Sequence, residues 1–412
     1  MIQIVRKEDC CGCEACRQVC PKHCIQMKAD NEGFLYPHVD TSLCIDCHLC
    51  EKVCPVINQN ESRKPVAVYA AKNKDEEIRR KSSSGGIFTL LAEKILSEGG
   101  VVFGVKFSND WKVVHDYTET VEGLDAFRGS KYVQSVIGDN FIKVKEFLGS
   151  GRKVLFSGTP CQIAGLKKFL RKEYENLLTV EVVCHGVPSP MVWQDYLNQK
   201  RAQRVAGKNT VSASLNEVPV ITGISFRDKT NGWKKFGFKI SYAASEAAEN
   251  SVSKSAYTSN CELTPFNENI FMKGFLKNLY LRPSCYECAA RSGKSGADIS
   301  IADYWGIQAV HPEIDDDKGT GAVLVNTDRG QRYYDSVANQ IEQIMSEYDS
   351  IVKFNPCIVR SVKVPKLRDA FWRGYQEMKV DAIEPICRKM NPSPIISLAK
   401  RIIRKILNVL KK

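Results

Sequence analysis

Cysteine spacing is the chemical feature that stands out in the first 54 residues. Ten of the 17 cysteines lie there, and eight of them form two copies of one pattern. Within each copy, successive cysteines are separated by two, two and three residues, and proline follows the last one. The copies start 34 residues apart, which is the signature of a tandem repeat. They comprise Cys10, Cys13, Cys16, Cys20 and Pro21, and then Cys44, Cys47, Cys50, Cys54 and Pro55.

This spacing is typical of iron–sulfur ligation. Three closely spaced cysteines wrap one 4Fe–4S cube, and the fourth ligates the other cluster. The pattern predicts one cluster on Cys10, Cys13, Cys16 and Cys54, and a second on Cys44, Cys47, Cys50 and Cys20. The alternative is a pair of structural zinc sites, which usually combine separated cysteine pairs. Cys11 and Cys24 fall outside the pattern and are interpreted as thiols that bind no iron. The segment resembles the two-cluster ferredoxin domain of bacteria.

Four later cysteines form a second candidate metal site. Residues 153–157 and 178–183 predict buried strands, and a helix is predicted between them at 162–174. A strand–helix–strand succession indicates a parallel crossover unit, which places Cys161 and Cys184 at the carboxyl edge of the sheet, where such sheets bind ligands. Cys285 and Cys288 complete a set of four. We predict a third 4Fe–4S cluster on these residues, and the alternative is unliganded thiols with a small zinc site.

A serine–glycine segment at residues 82–86 (SSSGG) suits an anionic group. Ser84 is the predicted N-cap of a helix that Gly85 and Gly86 open and that runs to about Leu96. Free N–H groups and the helix dipole favour a pyrophosphate there, whereas the alternative is simply a capped helix. The sequence contains no Walker A loop and no G-x-G-x-x-G fingerprint, which argues against nucleotide triphosphate hydrolysis and an ordinary nicotinamide site.

The chain has 412 residues, which is long enough for two or three domains that position these groups. Residues 55–66 are a predicted linker, a hairpin is predicted around Asn231 and Gly232, and 243–260 are a predicted loop. The chain shows no secretory signal and no run of about 18 apolar residues. We therefore expect a cytoplasmic protein, in which clustered cysteines more often bind metal than form disulfides.

Five blocks carry a family resemblance: SSSGGIFTLLAEKIL, FRGSKYVQS, VLFSGTPCQIAGLKKFL, VVCHGVPSP and ADISIADYWG. Through them, residues 65–385 resemble the flavoprotein family of the coenzyme F420 hydrogenase/dehydrogenase beta subunit. The resemblance implies FAD and electron transfer between iron–sulfur clusters and a two-electron acceptor or donor. The implied fold is an α+β ferredoxin-like module (1–60) fused to an α/β flavoprotein domain with a largely parallel or mixed sheet. The two parts of that domain span 65–150 and 151–390.

The resemblance also implies site residues. Those matched to flavin binding are Ser84, Gly85, Gly86, Lys131, Tyr132 and Thr159. Lys131 would place positive charge beside the reduced flavin ring, and the alternative is a surface lysine. His185, directly after Cys184, is a candidate proton donor, and the alternative is a structural histidine.

The last 18 residues contain six lysines and arginines and no acid, and so carry half of the net charge of +12. Residues 393–412 predict a helix, with Ser393 as N-cap and Pro394 in the first turn, whose apolar and basic residues lie on opposite faces. Such a helix is typical of an anionic membrane interface, so peripheral binding to the inner face of the membrane through residues 394–412 is expected. The alternative is a terminal helix packed on the core. No basic patch with interleaved aromatic residues indicates nucleic-acid binding.

Two functions follow from these expectations. In the first, the protein is an oxidoreductase dependent on FAD and 4Fe–4S clusters, which passes electrons between a ferredoxin-type carrier and a small two-electron substrate. In the second, it is an electron-transfer subunit that relays electrons to a separate catalytic partner of the hydrogenase or dehydrogenase type.

Overall fold

The computed structural model describes residues 1–206, 219–243 and 260–390. The predicted helix at 393–412 lies outside these ranges, as do residues 244–259 of the predicted loop. Within them, no helix is both long and apolar enough to cross a bilayer.

The described elements alternate between strands and helices along most of the chain. The strands are β1 (Ile25–Ala29), β2 (Leu35–Val39), β3 (Ala67–Asn73), β4 (Val101–Phe107), β5 (Val113–Thr118), β6 (Val154–Gly158), β7 (Leu177–Val182), β8 (Ile221–Asp228), β9 (Gly237–Tyr242), β10 (Cys261–Pro265), β11 (Ile299–Asp303), β12 (Gly321–Val325) and β13 (Ile341–Met345). The helices are α1 (Ala15–Val19), α2 (Leu49–Lys52), α3 (Glu76–Lys81), α4 (Ile87–Ser97), α5 (Asn140–Gly149), α6 (Pro160–Leu170), α7 (Pro190–Ala206), α8 (Ile270–Leu276), α9 (Ile307–Val310), α10 (Asp328–Asp335), α11 (Tyr348–Phe354), α12 (Arg368–Met378) and α13 (Ile383–Met390).

The N-terminal module repeats its geometry as well as its cysteines. Its antiparallel pair β1–β2 separates two short helices, α1 and α2. Each helix starts after a residue in the left-handed conformation, Glu14 (φ 59°) and His48 (φ 58°), at the same position of the two copies. This conformation is unusual for residues other than glycine, so its recurrence shows that the sequence repeat is a structural repeat.

The central sheet has eight strands in the order β13-β3-β12-β11-β7-β6-β4-β5. Its middle is parallel, with β4, β6, β7 and β11 running the same way, and the outer pairs are antiparallel. The expected mixed sheet is confirmed, including the crossover from β6 through α6 to β7. The helix is shorter than predicted: α6 ends at Leu170, where Arg171 adopts the left-handed conformation (φ 58°).

A smaller antiparallel sheet of order β10-β9-β8 lies beside the central sheet. The predicted hairpin is its β8–β9 pair. Trp193, Phe226, Phe238 and Phe271 pack in the core between this sheet and α7 and α8. The smaller sheet therefore shares a core with the helices that precede and follow it.

The start of α4 differs from the expectation. Ser84 does not cap the helix, because its hydroxyl donates to the Thr320 carbonyl at 2.8 Å. The N-cap is Gly86 (φ 78°), which makes no side-chain cap hydrogen bond. Gly85 lies so close to neighbouring backbone that an added Cβ would be 2.3 Å from the Ala71 carbonyl oxygen. The serine–glycine segment is therefore fixed by contacts with β3 and β12, and it leaves the first turn of α4 uncapped.

Candidate iron–sulfur and flavin sites

The first predicted cluster set is assembled in the N-terminal module. Burial, followed by the neighbouring Cys10 and Cys54 thiols, raises the pKa of Cys16. Cys13 also interacts with Cys16 and Cys54. Cys54 of the second copy therefore lies near the first three cysteines, as the crossed pairing requires, and the assignment of these four as ligands stays a prediction. We refer to these four cysteines as set I.

The second set, set II, surrounds a small cavity of about 350 Å³ of atom-free space, including its opening. Cys20, Cys44, Cys47 and Cys50 all line it, and Cys24 does so as well. The Cys24 sulfur is 3.4 Å from the Cys20 sulfur, so this thiol lies beside the set although it is outside the repeat pattern. Cys47 is exposed, whereas Cys20 and Cys50 are buried. Set II consequently has one side at the protein surface.

The third set brings together cysteines from distant parts of the chain. Cys161, in the first turn of α6, Cys184, after β7, and the Cys285–Cys288 pair line one cavity of about 990 Å³ of atom-free space, including its opening. Burial, followed by the Cys285 and Cys161 thiols, raises the pKa of Cys184 well above its ordinary value. These four cysteines are set III. Cys11 and Cys357 line the same cavity.

The burial of these thiols bears on what they can bind. Burial raises the pKa of Cys285 to about 12, so the thiolate is disfavoured unless a cation compensates its charge, as metal coordination does. No three His, Cys, Asp or Glu side chains in the described ranges converge on a single metal position. A 4Fe–4S cube requires no such convergence, because each of its cysteines binds a different iron. The donor set of set III therefore fits a cluster.

Set III adjoins a second and larger cavity, of about 1480 Å³ of atom-free space including its opening. The two cavities share the wall formed by Val183, Cys184, Gly186 and Val187, just after β7. The large cavity thus lies at the carboxyl edge of the parallel strands, where open α/β sheets bind ligands. All seven residues predicted for flavin binding or proton transfer line it: Ser84, Gly85, Gly86, Lys131, Tyr132, Thr159 and His185.

One wall of this cavity suits a diphosphate. Ile87, Phe88 and Thr89, the first turn of α4, line it together with residues 82–86. The first-turn N–H groups of a helix have no partner within that helix, and here the N-cap supplies no side-chain acceptor. Free N–H groups and the positive end of the helix dipole bind phosphate. The residues present therefore fit the diphosphate of a dinucleotide such as FAD.

Lys131 lies on another wall of the cavity. Its ammonium donates to the backbone carbonyls of Arg128 at 3.1 Å and Gly129 at 3.2 Å, and its Nζ is 5.8 Å from the centre of the Phe107 ring. Burial lowers the pKa of Lys131 to about 7. A bound anionic ring would therefore favour the charged form of this lysine.

Tyr132, Thr159 and His185 have fixed partners around the cavity. The Tyr132 ring stacks on Phe275 with centroids 5.0 Å apart. The Thr159 hydroxyl is 3.3 Å from the Cys161 sulfur, which joins the cavity wall to set III. His185 Nε2 is 2.6 Å from the Asn278 amide oxygen, so this ring nitrogen carries the proton. The structural role of His185 is thus visible, and its role as proton donor stays a prediction.

Sets I and III meet across the contact between the two domains. Helix α6 carries Cys161 in its first turn and Gly165 one turn later. A Cβ on Gly165 would lie 2.8 Å from the Cys13 Cβ, so only glycine permits this approach. The Cys11 thiol interacts with both the Cys13 and the Cys161 thiols. Set I therefore lies against the helix that supplies a set III cysteine.

Comparison with known proteins identifies both parts of the chain. Residues 68–139 and 151–350 match the family models for the N-terminal part and the C terminus of the coenzyme F420 hydrogenase/dehydrogenase beta subunit. The chain belongs to this family. Residues 9–58 match a 4Fe-4S dicluster domain, so the expected fusion of a ferredoxin-type iron–sulfur domain to the family's beta-subunit domains is confirmed.

Individual relatives match either most of the chain or its N-terminal module. One subunit of the F(420)H(2) dehydrogenase of Methanosarcina mazei is 20% identical over 353 residues, which are 82% of this chain and 85% of that protein. An uncharacterized ferredoxin of Methanocaldococcus jannaschii is 33% identical over 78 residues, 19% of this chain and 94% of that ferredoxin. A chain of the F420-reducing nickel–iron hydrogenase complex of Methanosarcina barkeri aligns at 19% identity with a TM-score of 0.43, covering 72% of this chain and 89% of that one.

Several residues near the cysteine sets are not predicted by any sequence pattern. Cys11 falls outside the repeat, yet it lies between sets I and III. Two buried arginines, Arg282 and Arg291, flank set III. The adjacency of Cys11 to Cys10 is visible in the sequence, but no spacing pattern distinguishes these arginines from the other basic residues.

Proposed function

We propose that the protein is an iron–sulfur electron-transfer subunit that relays electrons, through its clusters and a flavin in the large cavity, to a separate catalytic partner. The supporting observation is the sequence of adjacent sites. Set II reaches the surface at Cys47, set I lies in the same module, set III adjoins set I through Cys11, and the large cavity shares a wall with set III.

Each site contributes a distinct chemistry to this role. Clusters exchange single electrons, and a bound flavin accepts or donates two. The cysteines of the three sets would hold the clusters, the first turn of α4 with residues 82–86 would bind the diphosphate of FAD, and Lys131 would place positive charge near the ring. The similarity to one subunit of a dehydrogenase favours a relay to a partner over catalysis by this chain alone, and coenzyme F420 is the first two-electron substrate to test.

Iron analysis of anaerobically purified protein tests the cysteine assignments. We expect about twelve irons per chain in the wild type. The Cys288→Ala variant should retain about eight, because one cluster is lost. Cys357→Ala is a matched control, since Cys357 lines the same cavity and is not assigned as a ligand, and it should retain about twelve. A wild type with about eight irons would contradict the third cluster.

Flavin binding is tested by titrating the purified chain with FAD and following fluorescence quenching. We expect one FAD per chain, and weaker binding in Gly86→Val, because valine strains the left-handed backbone at this position (φ 78°) and would distort the start of α4. Absence of binding to the wild type would overturn the flavin assignment.

Activity measurements separate the relay from an independent oxidoreductase. The tagged chain is isolated either alone or with the subunits that copurify from its own cells, and both samples are offered dithionite and coenzyme F420. The relay predicts F420 turnover only in the copurified assembly. Equal turnover per flavin by the chain alone would instead support the independent oxidoreductase, for which the placement of Lys131, Tyr132 and His185 around one cavity is the favouring observation.

A further inference from the structure

Arg282 is a fully buried arginine between the ferredoxin module and the rest of the chain. It is 0% exposed and lies three residues before Cys285 of set III. Its guanidinium contacts set I directly: Nε donates to the Cys10 carbonyl at 2.7 Å, and an Nη donates to the Cys10 sulfur at 3.4 Å. The remaining donors bind the Leu35 carbonyl at 2.9 Å and the Gln134 side-chain oxygen at 3.0 Å.

The charge of this guanidinium has no carboxylate partner in the described ranges. The acidic groups with the largest electrostatic effect on it are the side chains of Cys10, Tyr36, Cys11 and Cys285, and its guanidinium carbon lies 4.4 Å from the centre of the Tyr36 ring. Burying an unpaired charge is costly, and buried charges are normally paired or bound to a compensating group. The compensating groups at this position are cysteines that the proposed function assigns to clusters.

We propose that Arg282 is a positioning residue that raises the reduction potential of the cluster held by set I. This inference rests on the proposed function, because it requires clusters at the predicted cysteines. A 4Fe–4S cube with four thiolates is negatively charged and gains one more negative charge on reduction. A hydrogen bond from a cation to a ligating sulfur stabilises the more negative state, and cluster potentials respond to such bonds and to local charge.

The hydrogen bonds of Arg282 distinguish between the two N-terminal cysteine sets. The guanidinium touches Cys10 of set I, whereas none of its hydrogen bonds reaches a cysteine of set II. Removal of its charge should therefore lower the potential of one N-terminal cluster much more than that of the other. The charge of Arg282 would then favour electron transfer from set II to set I.

The test is a redox titration of the full chain, purified anaerobically and followed by electron paramagnetic resonance. In Arg282→Gln, we expect the equilibrium constant for reduction of the set I cluster to fall about tenfold. This corresponds to a midpoint potential lowered by about 59 mV for a one-electron couple. The set II midpoint should stay unchanged. The Cys10→Ser variant identifies the set I signal, because it replaces the ligand that Arg282 contacts.

Arg368→Gln is the matched control for loosened contact between the domains. Arg368 also joins them, since it binds the Glu32 carboxylate of the N-terminal module at 2.8 Å and donates to the Leu281 carbonyl at 3.2 Å. It forms no hydrogen bond to a set I cysteine within the described residues. We expect the midpoint potentials of both N-terminal clusters in Arg368→Gln to equal those of the wild type. Equal shifts in the Arg282 and Arg368 variants would overturn the inference, because loss of domain contact would then explain both.

Gln134→Glu provides an independent test that leaves Arg282 in place. The substitution puts a carboxylate where the side-chain oxygen already accepts from Arg282 at 3.0 Å, so it offsets the charge with almost no change in size. We expect a lower set I midpoint here too, which keeps the inference testable if Arg282→Gln does not fold. Unchanged set I midpoints in a variant that retains its iron would refute the role of Arg282. A wild type without iron would refute the proposed function instead.

Discussion

Gln18 joins the ferredoxin module to the rest of the chain, and its removal has a calculable effect. Its buried side-chain oxygen accepts hydrogen bonds from the N–H groups of Phe141 at 2.9 Å and Ile142 at 3.3 Å. Both belong to the first turn of α5, whose N–H groups have no intrahelical partner and whose N-cap residue, Asp139, makes no side-chain cap hydrogen bond. Helix α5 is thus capped by a residue of another domain.

In Gln18→Ala, the N–H groups of this turn lose their acceptor. One unsatisfied buried donor costs about 1–3 kcal/mol, and Phe141 is fully buried. The open state of the turn should therefore become about fivefold to 150-fold more populated relative to the closed state. Hydrogen exchange measured by mass spectrometry on a peptide covering residues 137–144 should show faster deuterium uptake by the same factor.

Gln26→Ala is the control for this experiment, because Gln26 is an exposed glutamine on β1 of the same module. We expect the peptide to exchange in this variant as in the wild type. If Gln18→Ala also exchanges at the wild-type rate, the interdomain cap does not stabilise α5, and the argument that this contact docks the module is wrong.

Three further predictions concern the cavity and the domain contact. Gly85→Ala should destabilise the protein, because its Cβ would meet the Ala71 carbonyl oxygen at 2.3 Å. Gly149→Ala is the control: its Cβ has no neighbour within 4 Å, so it should be neutral or stabilising by up to about 1 kcal/mol in a helix. Thermal unfolding compares the melting temperatures of the two variants. Gly165→Ala should lower the free energy of unfolding by about 1–3 kcal/mol, because the added methyl group overpacks against Cys13. Gly149→Ala is again the control, and equal melting temperatures of these two variants would contradict the close approach of Gly165 and Cys13. Burial lowers the pKa of Lys131 to about 7, so the unfolded chain binds its proton more tightly between about pH 7 and 10. The wild type should therefore gain stability toward urea as the pH rises over this interval. If Lys131→Met gains as much stability over the same interval, the effect does not come from a lowered pKa of Lys131.

Local patterns in the sequence are sufficient to predict the parts of the site that depend on topology. The strand–helix–strand order places Cys161 and Cys184 at one sheet edge, and the structure has both in one cavity. Cys285 and Cys288 are assigned to the same set only by counting ligands, since the path of the chain from β7 to residue 285 passes through the smaller sheet and α8. No local signal shows that this path returns to the sheet edge.

Interactions between distant residues explain where the sequence is misleading. Ser84 has the right chemistry for an N-cap, but its hydroxyl donates to the Thr320 carbonyl, 236 residues away. The predicted helix at 162–174 ends at Leu170 because Arg171 adopts a left-handed conformation. Gly165 is an ordinary helix residue in the sequence, and its importance arises only from the approach of Cys13. Each of these features depends on which surfaces meet in the folded chain.

The buried arginines provide an argument for bound clusters that is independent of the cysteine spacing. Arg291 is 8% exposed; it donates to the Cys184 and His185 carbonyls, both at 3.1 Å, and it forms no ion pair with a carboxylate within the described ranges. Together with Arg282, it places positive charge beside set III, where neutral thiols alone would leave that charge uncompensated. A cube with four thiolates would supply the missing negative charge. Zinc held by four thiolates is also an anion, but its charge is fixed, whereas that of a 4Fe–4S cube changes with each electron. Buried cations beside an electron carrier therefore have a function that cations beside a structural zinc site do not, since they set how strongly each site holds the electron it receives.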